Sequence, residues 1–521
     1  MTTTDDRSAA AWRRHLGGPA FDPRNLRDTL ATGSLHDAFH ATAQAHPDRP
    51  ALTIDGVART YGELDAAAGR MSCLLRARGV QPGDSVLLCA PSSIGLVEAY
   101  LAALRAQATV VLSNPAYTAA ELRHVSVDSR AVAALTGGPA RAAVSAVARE
   151  LPGLNIVVDL DQVETAEYDL VEPDGTTEPA LLAYTSGTTG TPKAVPLTHA
   201  NVLSSIRAAM LAWRWSEDDV LVHALPLFHQ HGLSGIHATL LAGSRAVVQS
   251  KFDADRLGAA IGDERASVLF AVPAIYERLL ASEAGGALAS LRLAVSGSAA
   301  LSPALAERIR TLAGELPLER YGTTESGLDL SNLYDGPRRA GSVGLPLPGV
   351  EVAIVDERGV PVADGDNGEI VLRGPQVFAG YRGDDEATRA SFFDGGWFRT
   401  GDIGCRAGHD GFVSITGRSK EVIITGGLNV YPREVELALE ESVAVARAAV
   451  VGVPSDRWGE EVVAAVVPAS GAEVDGDELL ELARERLAPY KRPKRIVVVD
   501  ELPLNPMGKL VRAEVLKLVA G

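Results

Sequence analysis

Cysteine is scarce: Cys73, Cys89 and Cys405 are the only three in 521 residues. They stand in apolar or mixed stretches with no CxxC or Cys/His metal spacing. That excludes a disulfide scaffold and a zinc ribbon, and leaves reduced structural thiols. A chain this long buries enough apolar surface to hold without cross-links. Basic charge is also short, with 49 Lys and Arg against 66 Asp and Glu, a net of −17. No Lys/Arg run builds the basic face a nucleic-acid binder needs, so none is expected as a partner. The acidity speaks to solubility, not to substrate. No apolar run approaches the ~18 residues of a membrane span. The opening MTTTDDRSAAAWRRHLGG lacks the apolar centre of a secretory signal, and the expected place of work is the cytoplasm. Internal repeats and low-complexity tracts are missing too.

What is present reads as an α/β protein. Residues 1–34 form a polar leader with a few apolar anchors. From Leu35 onward helical patterns alternate with short apolar runs: SVLLCA (85–90), ATVVLS (108–113), AVAALT (131–136), NIVVDL (155–160), VLVHALP (220–226), RAVVQS (245–250), VLFAVP (268–273) and LRLAVSGS (291–298). Such runs between helices predict parallel sheets covered by helices. The N-terminal domain is therefore placed at 35–419, with two parallel-type αβ sheet layers. Between about 341 and 416 Gly and Pro become frequent and strands shorten, which predicts a β-rich subdomain. From 420 to 521 the pattern is that of a small α+β domain, with a helix at Arg433–Ser442, strands at 448–454, 460–469 and 496–503, and an acidic helix at Asp475–Leu487.

The most informative segment is YTSGTTGTPKAVPLTHAN, residues 184–201. Thr185, Ser186, Thr188 and Thr189 supply hydroxyls. Gly187 and Gly190 let the backbone turn tightly and present N–H groups to an anion. Lys193 adds a point charge. Such a density of small donors suits a polyphosphate, although the spacing is not that of GxxxxGK[ST].

With this segment in hand, the chain resembles the adenylate-forming superfamily of acyl-CoA synthetases, adenylation domains and luciferases, over about residues 35–515. YGTTES (321–326) resembles its adenine and magnesium motif and FRTGDIG (398–404) its ribose motif. GRSKEVIITGGLNVYPREVE (417–436) resembles its hinge segment and NPMGKL (505–510) its C-terminal lysine motif. The resemblance implies ATP, Mg²⁺ and coenzyme A as cofactors and a mobile C-terminal lid over 420–521. It gives Tyr321 and Gly322 to adenine, Thr324 to the α-phosphate, Glu325 to Mg²⁺, Asp402 to the ribose diol and Arg418 to ribose or phosphates. Lys509 becomes the adenylation lysine, Lys420 the hinge, and the Gly426–Gly427 loop a wall of the thiol channel.

The acid pocket is expected from PLFHQHGLSG (226–235) and RLAVSGSAAL (292–301). A long acyl chain wants an apolar tunnel. Arg and His together suit a short acid with a second anionic group. HxHG, RLxVSGSA and residues 331–352 look closest to malonyl-CoA synthetases. That likeness implies His231 and Arg292 on the distal carboxylate, with Ser296, Gly297 and Ser298 beside them and His229 on the ATP side. SNPAYT (113–118), GSAAL and the acid Asp329 depart from the pattern. Alternatives therefore stay open: an aryl or amino acid passed to a carrier protein, or a diazotase that activates nitrite. A non-catalytic homologue is opposed by intact Lys193, Glu325, Asp402 and Lys509, and luciferase-like chemistry has no positive support. The chain is expected to be a monomer or homodimer.

Overall fold

The structure, a computed structural model, describes residues 6–16, 26–162, 179–185, 192–408, 410–426, 428–455, 457–505 and 509–520. Among these the strands assemble into four sheets. In the six-stranded sheet Ile156–Asp159, Ala131–Thr136, Ser85–Cys89, Thr109–Leu112, Leu181–Thr185 and Lys193–Leu197 lie in that order. All neighbours are parallel except the last pair, which is antiparallel and sets Thr185 opposite Lys193. The nine-stranded sheet has a parallel centre that includes Leu318–Tyr321, Leu293–Ser296, Val268–Ala271 and Val220–His223. Ser85–Cys89, Val268–Ala271 and Leu293–Ser296 are buried at every residue, which is why they read as unbroken apolar runs rather than alternations. Helix Ile94–Arg105 is buried on most sides and packs against strands of both sheets.

This arrangement places the chemistry. In open parallel sheets ligands bind beyond the carboxyl ends of strands. The motif segments all begin there: 186–192 after Leu181–Thr185, PLFHQHG after Val220–His223, GSAAL after Leu293–Ser296, and GTTES after Leu318–Tyr321.

The third sheet, built from Glu351–Val355, Gly368–Arg373, Phe392–Phe393, Trp397–Arg406 and Val413–Arg418, is antiparallel throughout. The fourth begins after the 3₁₀ turn Ser419–Glu421, which holds Lys420. Its long strands Val445–Ser455 and Gly459–Pro468 alternate between two small cores. Ala448, Val450, Val462 and Ala464 pack with Val435, Leu439 and Leu479, while Ala449, Val451 and Val463 pack with Val515 and Val519. Helices on both faces explain why both phases of the alternation are apolar.

The leader is more structured than its polarity suggests. Residues Asp6–Leu16 are helical, and Trp12 is 1% exposed, its indole N–H donating to the Pro346 carbonyl at 2.6 Å. One large aromatic with a satisfied polar handle docks the segment on the main core.

Candidate active site

A cavity of about 1330 Å³ opens over these strand ends. Its walls come from both large sheets, the third sheet and the C-terminal domain, so Thr185, Lys193, His231, Thr324, Asp402 and Lys509 share one space. Ser186, Gly187, Thr188, Thr189, Gly190 and Gly427 lie outside the described residues.

The nucleotide side is built around Asp402. It sits opposite Arg418 in the register of Trp397–Arg406 with Val413–Arg418. Its Oδ1 accepts from Arg418 Nε at 2.9 Å, and its Oδ2 accepts from the Tyr321 hydroxyl at 2.6 Å. Burial pushes the Asp402 carboxyl up, and the Arg418 guanidinium pulls it back. Burial, with Asp402 second, holds the Tyr321 phenol well above its ordinary value, so it remains a donor. Each carboxylate oxygen keeps a free lone pair for a diol.

Gly322, next in line, allows a tight approach: a Cβ there would fall 1.7 Å from the Gly327 carbonyl oxygen. The chain doubles back on itself, closed by Gly327 N–H to Thr323 O at 2.8 Å. That presents Thr324 and Glu325 to the cavity. The Thr324 carbonyl accepts from Gln230 Nε2 at 3.0 Å, and Glu325 Oε1 accepts from the Tyr381 hydroxyl at 2.9 Å. Lys193 Nζ lies 3.8 Å from Asp384 Oδ2 and 5.0 Å from the Tyr381 ring centre. Lys509 enters from the C-terminal domain, its backbone N–H bonded to Asn505 Oδ1 at 3.0 Å. Burial and then Arg418 and Arg320 lower its pKa, with Asp402 opposing. This ammonium sits among other cations, an arrangement that favours a bound anion.

The acid side differs from expectation. Arg292 is not on the cavity wall. Its Nε and Nη2 grip Asp219 at 2.6 and 2.5 Å, and its Nη1 bonds the Trp213 carbonyl at 3.0 Å. Burial pushes the Asp219 carboxyl up, but the bonds from Arg292 and Ser267 outweigh it and hold it low. Arg292 is a structural partner at the start of its strand, on the end away from the cavity. Ser296 and Gly297 also lie behind the wall. Ser296 is fully buried, and a Cβ at Gly297 would come 2.5 Å from Arg320 Nε.

That contact leads to Arg320, a cation that does line the cavity. Arg320 is 7% exposed, and its Nη2 has no hydrogen-bond partner among the described residues. Burial lowers its pKa to about 10, with Asp329 opposing. Beside it His231 is buried, with Nδ1 2.9 Å from Ser298 Oγ and Nε2 without a hydrogen-bond partner among the described residues. Burial first, then Arg320 and His229, hold His231 neutral at physiological pH. Ser298 has φ +67°, a left-handed conformation costly outside glycine. His229 caps the helix Gln230–Ala242, and burial holds its pKa down at about 4. Asp329 does not line the cavity. It takes bonds from Ser326 Oγ at 2.5 Å and Gln376 Nε2 at 3.1 Å, and burial raises it to about 7.

Sequence reasoning therefore missed Arg320, Gln230 and Tyr381. Arg320 had a readable signal: Glu319 and Arg320 are adjacent charges within a core strand, where charged side chains seldom sit without a role.

Comparison with known proteins gives one family over nearly the whole chain. The model of the AMP-binding enzyme family matches residues 39–382, and that of the AMP-binding enzyme C-terminal domain matches 434–509. A feruloyl-CoA synthase from Amycolatopsis sp is 36% identical over 91% of this chain and 96% of its own. An oxalate–CoA ligase from Arabidopsis thaliana is 35% identical over 93% and 98%. The ATP-bound crystal structure of MatB from Rhodopseudomonas palustris superposes with a TM-score of 0.86 at 35% identity, over 93% of this chain and 99% of that one.

Proposed function

The chain belongs to the AMP-binding enzyme family and is an AMP-forming acid–CoA ligase; from that premise we propose that its acid is a small dicarboxylate of malonate type. One observation carries the proposal: two buried nitrogens without hydrogen-bond partners among the described residues, Arg320 Nη2 and His231 Nε2, belong to side chains that line the same cavity. In the tautomer whose Nδ1 accepts from the Ser298 hydroxyl, the proton of the neutral imidazole lies on Nε2. Both nitrogens are then orphan donors. A buried donor left unmade costs about 1–3 kcal/mol, and a carboxylate satisfies both at once. An aryl or alkyl tail would leave them unpaired. The oxalate–CoA ligase relative, by its name a dicarboxylate enzyme, supports the same reading.

With the distal carboxylate so held, the reacting carboxylate points to Thr324 and Lys509. Its oxygen bonds to the α-phosphorus as the bond to pyrophosphate breaks. The Lys509 ammonium offsets the charge that grows on these oxygens. Residues 185–190 and Lys193 hold the polyphosphate, Tyr321 packs on adenine, and Asp402 with Arg418 takes the ribose. Glu325 fits Mg²⁺: it is a hard carboxylate with Oε1 fixed by Tyr381, and one carboxylate beside phosphate oxygens is the ligand set this ion prefers. When bound, Mg²⁺ would neutralise phosphate charge. Once pyrophosphate departs, the C-terminal domain turns about Lys420 and withdraws Lys509. The thiol of CoA then attacks the acyl carbonyl and expels AMP.

The test is pyrophosphate release with oxalate, malonate, methylmalonate, succinate, acetate, ferulate and nitrite, each with and without CoA. Malonate should lead and should need CoA for turnover. Faster release with ferulate or acetate, or release with nitrite and an aryl amine but no CoA, would remove the dicarboxylate.

A further inference from the structure

One short segment, Phe378 to Asp384, ties the two halves of the nucleotide site together. At its start the Phe378 N–H bonds the Glu325 carbonyl at 2.8 Å. Near its end the Arg382 N–H bonds the Ala194 carbonyl at 3.1 Å, next to Lys193. Between them stands Tyr381. Its own N–H is fixed by Thr388 Oγ1 at 2.9 Å, and its ring meets Phe378 edge-on at 4.9 Å. Its hydroxyl bonds Glu325 Oε1 at 2.9 Å while its ring lies 5.0 Å from the Lys193 ammonium. Asp384, at the end of the segment, pairs with that ammonium at 3.8 Å.

We propose that Tyr381 is a positioning residue that sets the carboxylate of Glu325 and the ammonium of Lys193 on the same polyphosphate. The hydroxyl takes Oε1 and leaves Oε2 turned to the nucleotide. The ring face holds Lys193 as a cation–π partner, so the lysine is poised before phosphate arrives. Lys193 opens a strand of the six-stranded sheet and Glu325 follows a strand of the nine-stranded one, 132 positions apart in the chain, and Tyr381 touches both. This role rests on the nucleotide reading above.

The experiment is calorimetric titration of the full-length protein with ATP, in chelator and at saturating Mg²⁺. Wild type should bind ATP in chelator and more tightly with Mg²⁺; absence of any Mg²⁺-dependent gain in wild type would sink the nucleotide reading itself, and the role of Tyr381 with it. Tyr381→Phe keeps the ring and loses the hydroxyl. It should lose about 10-fold of the Mg²⁺-dependent gain, the usual worth of a hydrogen bond to a charged group, and keep wild-type affinity in chelator. Tyr381→Leu should also lose about 3-fold in chelator, because Lys193 loses its ring. In a Glu325→Gln background, Tyr381→Phe should cost nothing further. Tyr381→Phe with wild-type Mg²⁺ gain, or an undiminished loss in the Glu325→Gln background, overturns the proposal. The Phe variant decides the question even if the Leu variant fails to fold.

Discussion

Arg320 and Arg292 show how one residue type serves two ends. Arg292 neutralises Asp219, a carboxylate 3% exposed, and stripping a buried charge of its partner costs about 3–5 kcal/mol. Arg292→Ala should therefore lower the melting temperature by several degrees and leave the ratio of malonate to acetate activity unchanged. Arg320→Met should do the reverse. Melting should stay near wild type, while kcat/KM for malonate falls about 10–100-fold and that for acetate does not fall, since a charge-assisted bond is worth about 1.5–3 kcal/mol. Equal losses for both acids would remove Arg320 from the distal carboxylate. Next to it, Glu319 is buried with its Oε2 on the Gly341 N–H, and burial raises its pKa to about 8. An acid whose folded pKa is raised contributes stability that is full below its unfolded value of 4.5 and lost as pH rises through about 8. Glu319→Gln should flatten the fall of melting temperature between those limits; an unchanged pH profile would place the carboxylate in water.

Among elements, register decides what meets what. Strands Leu293–Ser296 and Leu318–Tyr321 pair in parallel, Val295 with Leu318 and Ser296 with Glu319. The next step along both strands puts Gly297 beside Arg320, and only a residue without Cβ leaves room for the guanidinium to lie across. Gly297→Ala should push Arg320 off the wall. The expected outcome is a selective rise of KM for malonate at near-constant ATP affinity. Loss of ATP binding instead would mean that the strand pair itself had shifted. The helix Gln230–Ala242 contributes in the same manner: its first turn carries His231 to the wall and ties Gln230 to Thr324.

At the scale of the whole molecule, the C-terminal domain lines the same cavity as the large sheets. Lys509 enters it, and Arg447 approaches Glu277 at 3.9 Å with both side chains partly exposed, a pair worth at most about 1 kcal/mol. Lys509→Ala should abolish ATP–pyrophosphate exchange and largely spare thioester formation from supplied acyl-adenylate. Robust exchange in that variant would take the lysine out of the first step.

The amino-acid sequence alone determined the α/β class and the AMP-binding family, because these rest on local features. Apolar runs mark buried strands, and short motifs keep their chemistry within a few residues. It could not determine which arginine lines the cavity. Arg292 and Arg320 stand at opposite ends of neighbouring parallel strands. Strand direction, pair register and the missing Cβ at Gly297 assign one to Asp219 and the other to the cavity. Tyr381 was hidden for a related reason: its partners Lys193 and Glu325 become neighbours only when separate sheets bring their strand ends together. Recognition assembled from distant strands is a product of packing, which no local pattern encodes.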